Sequence, residues 1–138
     1  MAWRLHHVNI AAPNFSETRD FYKEVLGMQS IGMPIKKKDR GVFKYDDDNV
    51  AWFEDGNAQI HMSRPNPNMA RDNDYYVNPS LHGHVAIEVD DIEQVKQRLN
   101  ARGVYFADPG HWAVEGLYQI YVIDPSMNCV EINQQLDT

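Results

Sequence analysis

The chain contains one unit twice, and this repeat limits its possible folds more than any other feature. Sliding residues 5–22 along by 77 sets His7 on His84, Val8 on Val85, Ile10 on Ile87 and Ala12 on Val89. Asn14 then falls on Asp91, Phe15 on Ile92, Thr18 on Val95 and Tyr22 on Leu99. Sliding residues 50–62 by 70 sets Val50 on Ile120, Trp52 on Val122, Ile60 on Val130 and Met62 on Ile132. In that second alignment His61 falls on Glu131. The unit is about 60 residues long, and two copies are too few for a solenoid, so the repeat predicts paired modules.

Each unit carries the same order of local patterns. Residues 4–12 alternate, with Val8, Ile10 and Ala12 on one face and His7, Asn9 and Ala11 on the other. That is a strand buried on one side, and the pattern predicts Val8 and Ile10 against the helix. Asn14 opens a helix with Phe15, Thr18, Phe21, Tyr22 and Val25 at helical spacing, and Gly27 ends it. Strands are expected at 28–33, 41–45, 50–54 and 59–63, the last two joined through Asp55-Gly56-Asn57. In the second unit, residues 84–89 form a strand, and Asp91 caps a helix through Val95, Leu99 and Ala101 to Gly103. Strands follow at 105–106, 118–123 and 129–133, the last pair joined through 124–128. Both units read β-α-β-β-β. The expected organisation is one domain over 1–138, with modules at 3–64 and 82–134 and an aperiodic, proline-bearing linker at 65–81. Tyr75-Tyr76 lies in that linker as a candidate cover. Lys36-Lys37-Lys38 and Asp46-Asp47-Asp48 read as solvated loop tips.

Charge and cysteine content narrow the function. Thirteen Lys and Arg face twenty Asp and Glu, a net charge of −7, which argues against a nucleic-acid or anionic-membrane partner. The single cysteine allows neither an intramolecular disulfide nor a multi-cysteine zinc site. No apolar run approaches the roughly 18 residues of a membrane span, and the N-terminus lacks a signal-type apolar stretch. A cytoplasmic protein is the expectation.

Strand parity singles out four polar residues. His7, His61, His84 and Glu131 each alternate with apolar neighbours, so each points away from the helix-packed face of its strand. Two head a module and two close one. If the modules curl into half-barrels and pair, three imidazoles and a carboxylate can converge as ligands of a divalent metal. The alternative stays open that each is a hydrogen-bonded or surface residue of its strand. His6 has the parity of Val8 and reads as a strand-end filler. His82 shares the parity of His84 and is a candidate outer partner. His111 follows Pro109-Gly110 and reads as loop. Cys129 reads as a small wall residue, since no basic partner activates it. Trp52, Trp112, Tyr118 and Tyr121 are candidate pocket walls.

These motifs resemble the vicinal oxygen chelate superfamily, which includes glyoxalases, bleomycin-resistance proteins and extradiol dioxygenases. The resemblance is carried by His7-Val8-Asn9-Ile10-Ala11-Ala12-Pro13-Asn14, Phe21-Tyr22-Lys23-Glu24-Val25-Leu26-Gly27, Gly83-His84-Val85-Ala86-Ile87-Glu88-Val89-Asp90-Asp91 and Asp124-Pro125-Ser126-Met127-Asn128-Cys129-Val130-Glu131-Ile132. It implies an α+β fold in which two tandem βαβββ modules form a curved mixed sheet around a central metal, with helices outside. It also implies metal ligands at His7, His61, His84 and Glu131, and catalytic roles for His61 and Glu131. Glyoxalase-type members usually carry Glu where His61 stands. Extradiol-type members use two His and one Glu, matching His7, His84 and Glu131 and leaving His61 as a fourth ligand or a nearby acid or base. The implied function is a metal-dependent lyase, isomerase or dioxygenase that chelates a small substrate through vicinal oxygens. The competing function is a non-catalytic binding protein of the bleomycin-resistance type. Fe(II) or Zn is the expected cofactor, with Ni, Mn or Co as alternatives. The resemblance further implies a homodimer with composite sites, His7 and His61 from one subunit and His84 and Glu131 from the other.

Overall fold

The structure is a computed structural model that describes residues 2–32, 39–40, 43–44, 46–74, 77–112 and 114–136. Its centre is an eight-stranded mixed sheet in the order β2-β5-β6-β1-β7-β10-β9-β8. The first unit supplies β1 (Trp3–Ala11), β2 (Ser30–Ile31), β5 (Val50–Glu54) and β6 (Gln59–Ser63). The second supplies β7 (His84–Val89), β8 (Phe106–His111), β9 (Leu117–Ile123) and β10 (Cys129–Gln135). A separate two-stranded ribbon, β3 (Asp39–Arg40) and β4 (Phe43–Lys44), lies between β2 and β5 in sequence. Met33, Lys36-Lys37-Lys38, Gly41 and Tyr75-Tyr76 lie outside the described residues.

The repeat appears in the pairing. β1 runs parallel to β6, and β7 parallel to β10, as equivalent pairs. The two first strands meet antiparallel at the sheet's middle, where Val8 pairs with Val85 and Asn9 with His84. The hairpin turns correspond too. Asp55 Oδ1 accepts from the amides of Asn57 and Ala58, and Asp124 Oδ1 from those of Ser126 and Asn128. Such side chain to backbone bonds are why Asp opens turns of this kind.

Helices flank the outer face. α1 (Phe15–Asp20) continues into a π-helical turn at Phe21–Val25, and α3 (Ile92–Ala101) is the longer helix. Under the first helix Phe15 packs with Ala12, Ala51, Phe53 and Met62. Under α3, Ile92 and Val95 pack with Val89 and Ile120. The expected apolar face of the first helix is only partly buried, since Phe21 and Val25 are exposed. The π turn carries an extra residue, so the register of its face slips after Phe21. Asp91 caps α3 as expected, its side chain accepting from the Gln94 amide at 3.1 Å. Asp91→Ala should lower stability by about 1 kcal/mol, read as a fall in thermal midpoint.

Two expectations of burial need correction. Val8 and Val85 are 37% and 42% exposed, although both lie on the helix side of the sheet. They occupy its middle, between α1 and α3, where neither helix reaches. The linker is also not wholly aperiodic, because α2 (Met69–Asp72) forms within it. Met69 and Val77 pack with Trp112, Tyr121 and Ala107 over the inner face. No helix among the described residues is long and apolar enough to cross a membrane.

Candidate metal centre

Sheet register explains how the inner cluster forms. Across β1, β7 and β10, His7 pairs with Ala86 and Ala86 with Glu131, so the three side chains share one row. Ala86 is fully buried and carries only a methyl group, leaving room above it for its neighbours to meet. His84 projects two residues earlier on β7, on the same side. The result is a triangle. His7 Nε2 lies 3.4 Å from His84 Nε2. Glu131 Oε2 lies 2.9 Å from His84 Nε2 and 3.3 Å from His7 Nε2. His7, His84 and Glu131 are the group of described residues whose ligand atoms come close enough to hold one ion.

The spacing and the donor chemistry both fit a cation. For bonds of about 2.1 Å, neighbouring donors stand about 3.0 Å apart in an octahedral shell and about 3.4 Å in a tetrahedral one. The three observed separations span that interval without any side-chain movement. His84 Nδ1 faces the Pro79 carbonyl oxygen at 2.9 Å, so the ring's N–H sits there. His84 Nε2 therefore faces the Glu131 carboxylate at 2.9 Å, a contact that either a proton on Nε2 or a cation between the two groups satisfies. Behind the carboxylate, Glu131 Oε1 accepts from Gln119 Nε2 and Asn133 Nδ2, each at 2.9 Å. Burial opposes ionisation of Glu131, but the charges and hydrogen bonds of His7 and His84 hold it well below the usual carboxylate range. Gln119→Leu should weaken affinity for Zn(II) or Co(II) by roughly 10–100-fold, measured by titration of metal-free protein, because the carboxylate loses a support.

His61 stands apart from the triangle. Its ring stacks on His7 at 3.7 Å between centroids and meets Trp52 at 3.5 Å. Its Nε2 bonds to Gln59 Oε1 at 2.8 Å. Burial first, then the neighbouring His7, keeps this imidazole below its ordinary pKa and neutral. The repeat supplies a reason for the asymmetry. Glu131 reaches His7 across Ala86, whereas the residue between His61 and His84 is the larger Asn9.

The expectation for His6 is corrected. The register slips between Leu5 and His7, so two steps along β1 match one along β7 and His6 is the extra residue of a bulge. The bulge turns His6 to the inner side, where its Nδ1 lies 2.8 Å from His7 Nδ1. Burial first and then His7 lower its pKa to about 4. Alternation cannot show this, because a bulge breaks the period that alternation assumes. His111, expected in a loop, ends β8, and its ring meets Tyr118 edge-on. Tyr118 packs with the α3 cluster on the outer face, so neither residue walls the centre. His82 is exposed in the bend before β7. Cys129 packs beside the inner cluster, and burial pushes its thiol up to about 12, as a wall residue requires. Trp52, Trp112 and Tyr121 lie on the inner side as expected, and the buried indole N–H of Trp52 has no hydrogen-bond partner among the described residues. Asn133 and Gln119, both buried behind Glu131, escape sequence reading because their strand parity alone assigns them no partner. A cleft of about 770 Å³ is lined by Val8, Val85 and Val130 together with Asn9 and His84, and His7, His61 and Glu131 are not among its walls.

All three converging residues belong to one chain. The composite arrangement expected between subunits is therefore not required, because β1 and β7 of the same chain pair directly.

Two βαβββ repeats fused through their first strands, with a two-histidine, one-carboxylate cluster inside and helices outside, define a paired-module α+β class. The chain belongs to the Glyoxalase/Bleomycin resistance protein/Dioxygenase superfamily, whose description matches residues 4–132. It is 32% identical over 109 residues to the mitochondrial methylmalonyl-CoA epimerase of Dictyostelium discoideum, covering 77% of this chain and 61% of that protein. This chain thus spans about three fifths of that relative's length. Its fold is similar to that of methylmalonyl-CoA epimerase from Mycobacterium tuberculosis, with a TM-score of 0.62 at 19% identity, over 94% of this chain and 86% of that one. It is also similar to the Mn(II)-bound glyoxalase from Novosphingobium aromaticivorans, with a TM-score of 0.64 at 15% identity, over 97% of this chain and 38% of that one.

Proposed function

We propose that this chain is a metal-dependent enzyme that moves a proton at a carbon beside a carbonyl group, on a small substrate gripped through two neighbouring oxygens. The observation that carries this reading is the triangle of two imidazole nitrogens and one carboxylate oxygen at coordination spacing. His7, His84 and Glu131 are the residues that would hold the divalent cation. Bound there, the cation would supply Lewis acidity to the substrate oxygens. His61 is the acid or base beside them. Its Nε2–H is given to Gln59, which leaves the lone pair of a neutral ring on Nδ1 to take up the proton. The electron pair released from the C–H bond moves to the carbonyl oxygen, and the imidazolium returns the proton to carbon. Trp52 offers its unpartnered N–H as a donor to a substrate oxygen. The buried walls around His61 exclude water.

The relatives at 32% identity carry the name of an epimerase, which favours proton transfer over dioxygenation. Methylmalonyl-CoA is accordingly the first carbon acid to test. We further propose that modules 3–64 and 82–134 form one domain, that the chain pairs as a homodimer with one whole centre per subunit, and that it acts in the cytoplasm. The test is deuterium uptake from heavy water at the substrate carbon, followed by proton NMR with metal-free and metal-reloaded protein. Uptake with added Mn(II), Co(II) or Zn(II), lost in His61→Phe while the metal stays bound, supports the reading. Metal-free protein that takes up no divalent metal on titration defeats it and leaves the non-catalytic binding role.

A further inference from the structure

We propose that Asn78 and Ser80 are positioning residues of the metal centre: with Asn66 they form a clasp that holds the Pro79 carbonyl against His84 and so aims that ring at Glu131. This rests on the reading above that His84 helps to hold the cation. The clasp lies in the connection between the two units. Asn66 comes three residues after β6, and Ser80 four residues before β7. These strands carry His61 and His84, and β1 runs between them. The clasp therefore ties them together at the end where Asn9 of β1 pairs with both histidines.

Four hydrogen bonds make the clasp. Ser80 Oγ accepts from the Asn66 amide at 3.0 Å and donates to Asn78 Oδ1 at 2.7 Å. Asn78 Nδ2 donates to the Asn66 carbonyl oxygen at 2.8 Å, and Asn78 Oδ1 also accepts from the Ser80 amide at 3.0 Å. Asn66 and Ser80 are buried. The last bond sets the direction of the Pro79 carbonyl. That carbonyl and the Ser80 N–H belong to one planar trans peptide and point opposite ways. Asn78 grips the N–H end, so the oxygen end is turned to His84 Nδ1, which donates to it at 2.9 Å. Proline adds a fixed φ on the other side of the same carbonyl. The segment is already anchored by apolar contacts, since Met69 and Val77 pack with Trp112 and Tyr121. A satisfied polar network adds a single specified geometry to that anchorage. The repeat also marks the clasp as an addition to the second unit. The shift of 77 that sets His7 on His84 sets Ala2 on Pro79 and Trp3 on Ser80, and neither offers a hydroxyl. Histidine ligands are generally oriented by partners on the remote nitrogen, and here the clasp orients the partner.

The experiment is Ser80→Ala, which removes the hydroxyl and two of the four bonds. Titration of the metal-free variant should show Zn(II) affinity weakened by roughly 10–100-fold. The visible absorption bands of bound Co(II), which report ligand geometry, should shift. Gly103→Ala, which loses stability at the end of α3, is the reference for a merely structural role and should show neither change. Ser80→Ala that loses stability yet binds Zn(II) as the unaltered chain does overturns the proposal. Crystal structures of the metal-free unaltered chain and Ser80→Ala supply the second measurement. The Pro79 oxygen and His84 Nδ1 should part beyond hydrogen-bond distance in the variant, with the ring turned away from Glu131. An unmoved His84 overturns the proposal. This comparison needs neither bound metal nor activity, so it separates failure of the clasp from failure of the functional reading. If Ser80→Ala does not fold, Asn78→Ala, at the half-buried arm of the clasp, carries the same expectations.

Discussion

Glu131→Gln should leave a folded protein that no longer takes up divalent metal under conditions that saturate the unaltered chain. The substitution keeps the shape of the side chain and keeps an oxygen for Gln119 and Asn133 to bond. It removes the negative charge that faces two imidazole nitrogens within 3.3 Å. The loss should exceed the roughly 10–100-fold cost of altering an outer partner, because an inner donor is gone. Glu131→Ala should add a fall in stability of about 1–3 kcal/mol, since two buried amide donors lose their acceptor. His61→Ala should keep its metal, because the ring is bonded to Gln59 and lies outside the triangle. Isothermal titration of Zn(II) or Co(II) into metal-free protein distinguishes these cases. Unchanged affinity in Glu131→Gln, or equal loss in His61→Ala, would rule out the three-residue centre.

A second large effect is expected at Gly83, which precedes His84. Its φ is +76°, and a Cβ there would run into the backbone carbonyl oxygen of Asn9 on the neighbouring strand. The left-handed conformation alone costs a side chain about 1–3 kcal/mol. The contact adds to this, because neither partner is a flexible side-chain end. Relief requires β1 and β7 to move apart where Asn9 pairs with His84, which displaces two members of the triangle together. Gly83→Ala should therefore lower both the unfolding midpoint and metal affinity. Gly103→Ala is the control, with φ +68° and nothing within 4 Å of its Cβ position. It should lose stability from the backbone term only and keep its metal. Each kcal/mol corresponds to roughly 2–8 °C in domains near this size, so a thermal scan resolves the pair. Equal losses at the two glycines would show that the close approach to Asn9 has no consequence.

The residues that the sequence made legible are those whose signal repeats. His7 and His84 stand 77 positions apart in equivalent strands, and Glu131 occupies the position in the second unit that His61 holds in the first. Strand period two sends all four to one side whatever the details of packing, so their common face follows from the pattern alone. The Asp91 cap and the turns at Asp55 and Asp124 were equally local, because a side chain bonding to the next few amides needs no distant partner.

What the sequence could not determine depends on register and on neighbours far along the chain. Alternation assumes an unbroken strand, so the bulge that brings His6 inside is invisible until β1 is laid against β7. The exposure of Val8 and Val85 depends on where the two helices end, not on strand parity. His7, His84 and Glu131 lie closer to one another than to His61, with Ala86 in one row and Asn9 in the other, a difference with meaning only once the strands are side by side. The Pro79 carbonyl that orients His84, and the Gln119 and Asn133 amides behind Glu131, enter only through the tertiary structure. Sequence by itself determined that His7, His61, His84 and Glu131 share a face, whereas register decided the side taken by His6. Only the packed sheet decided which of their atoms lie within bonding distance, because that distance is set by the volume of the residues between them.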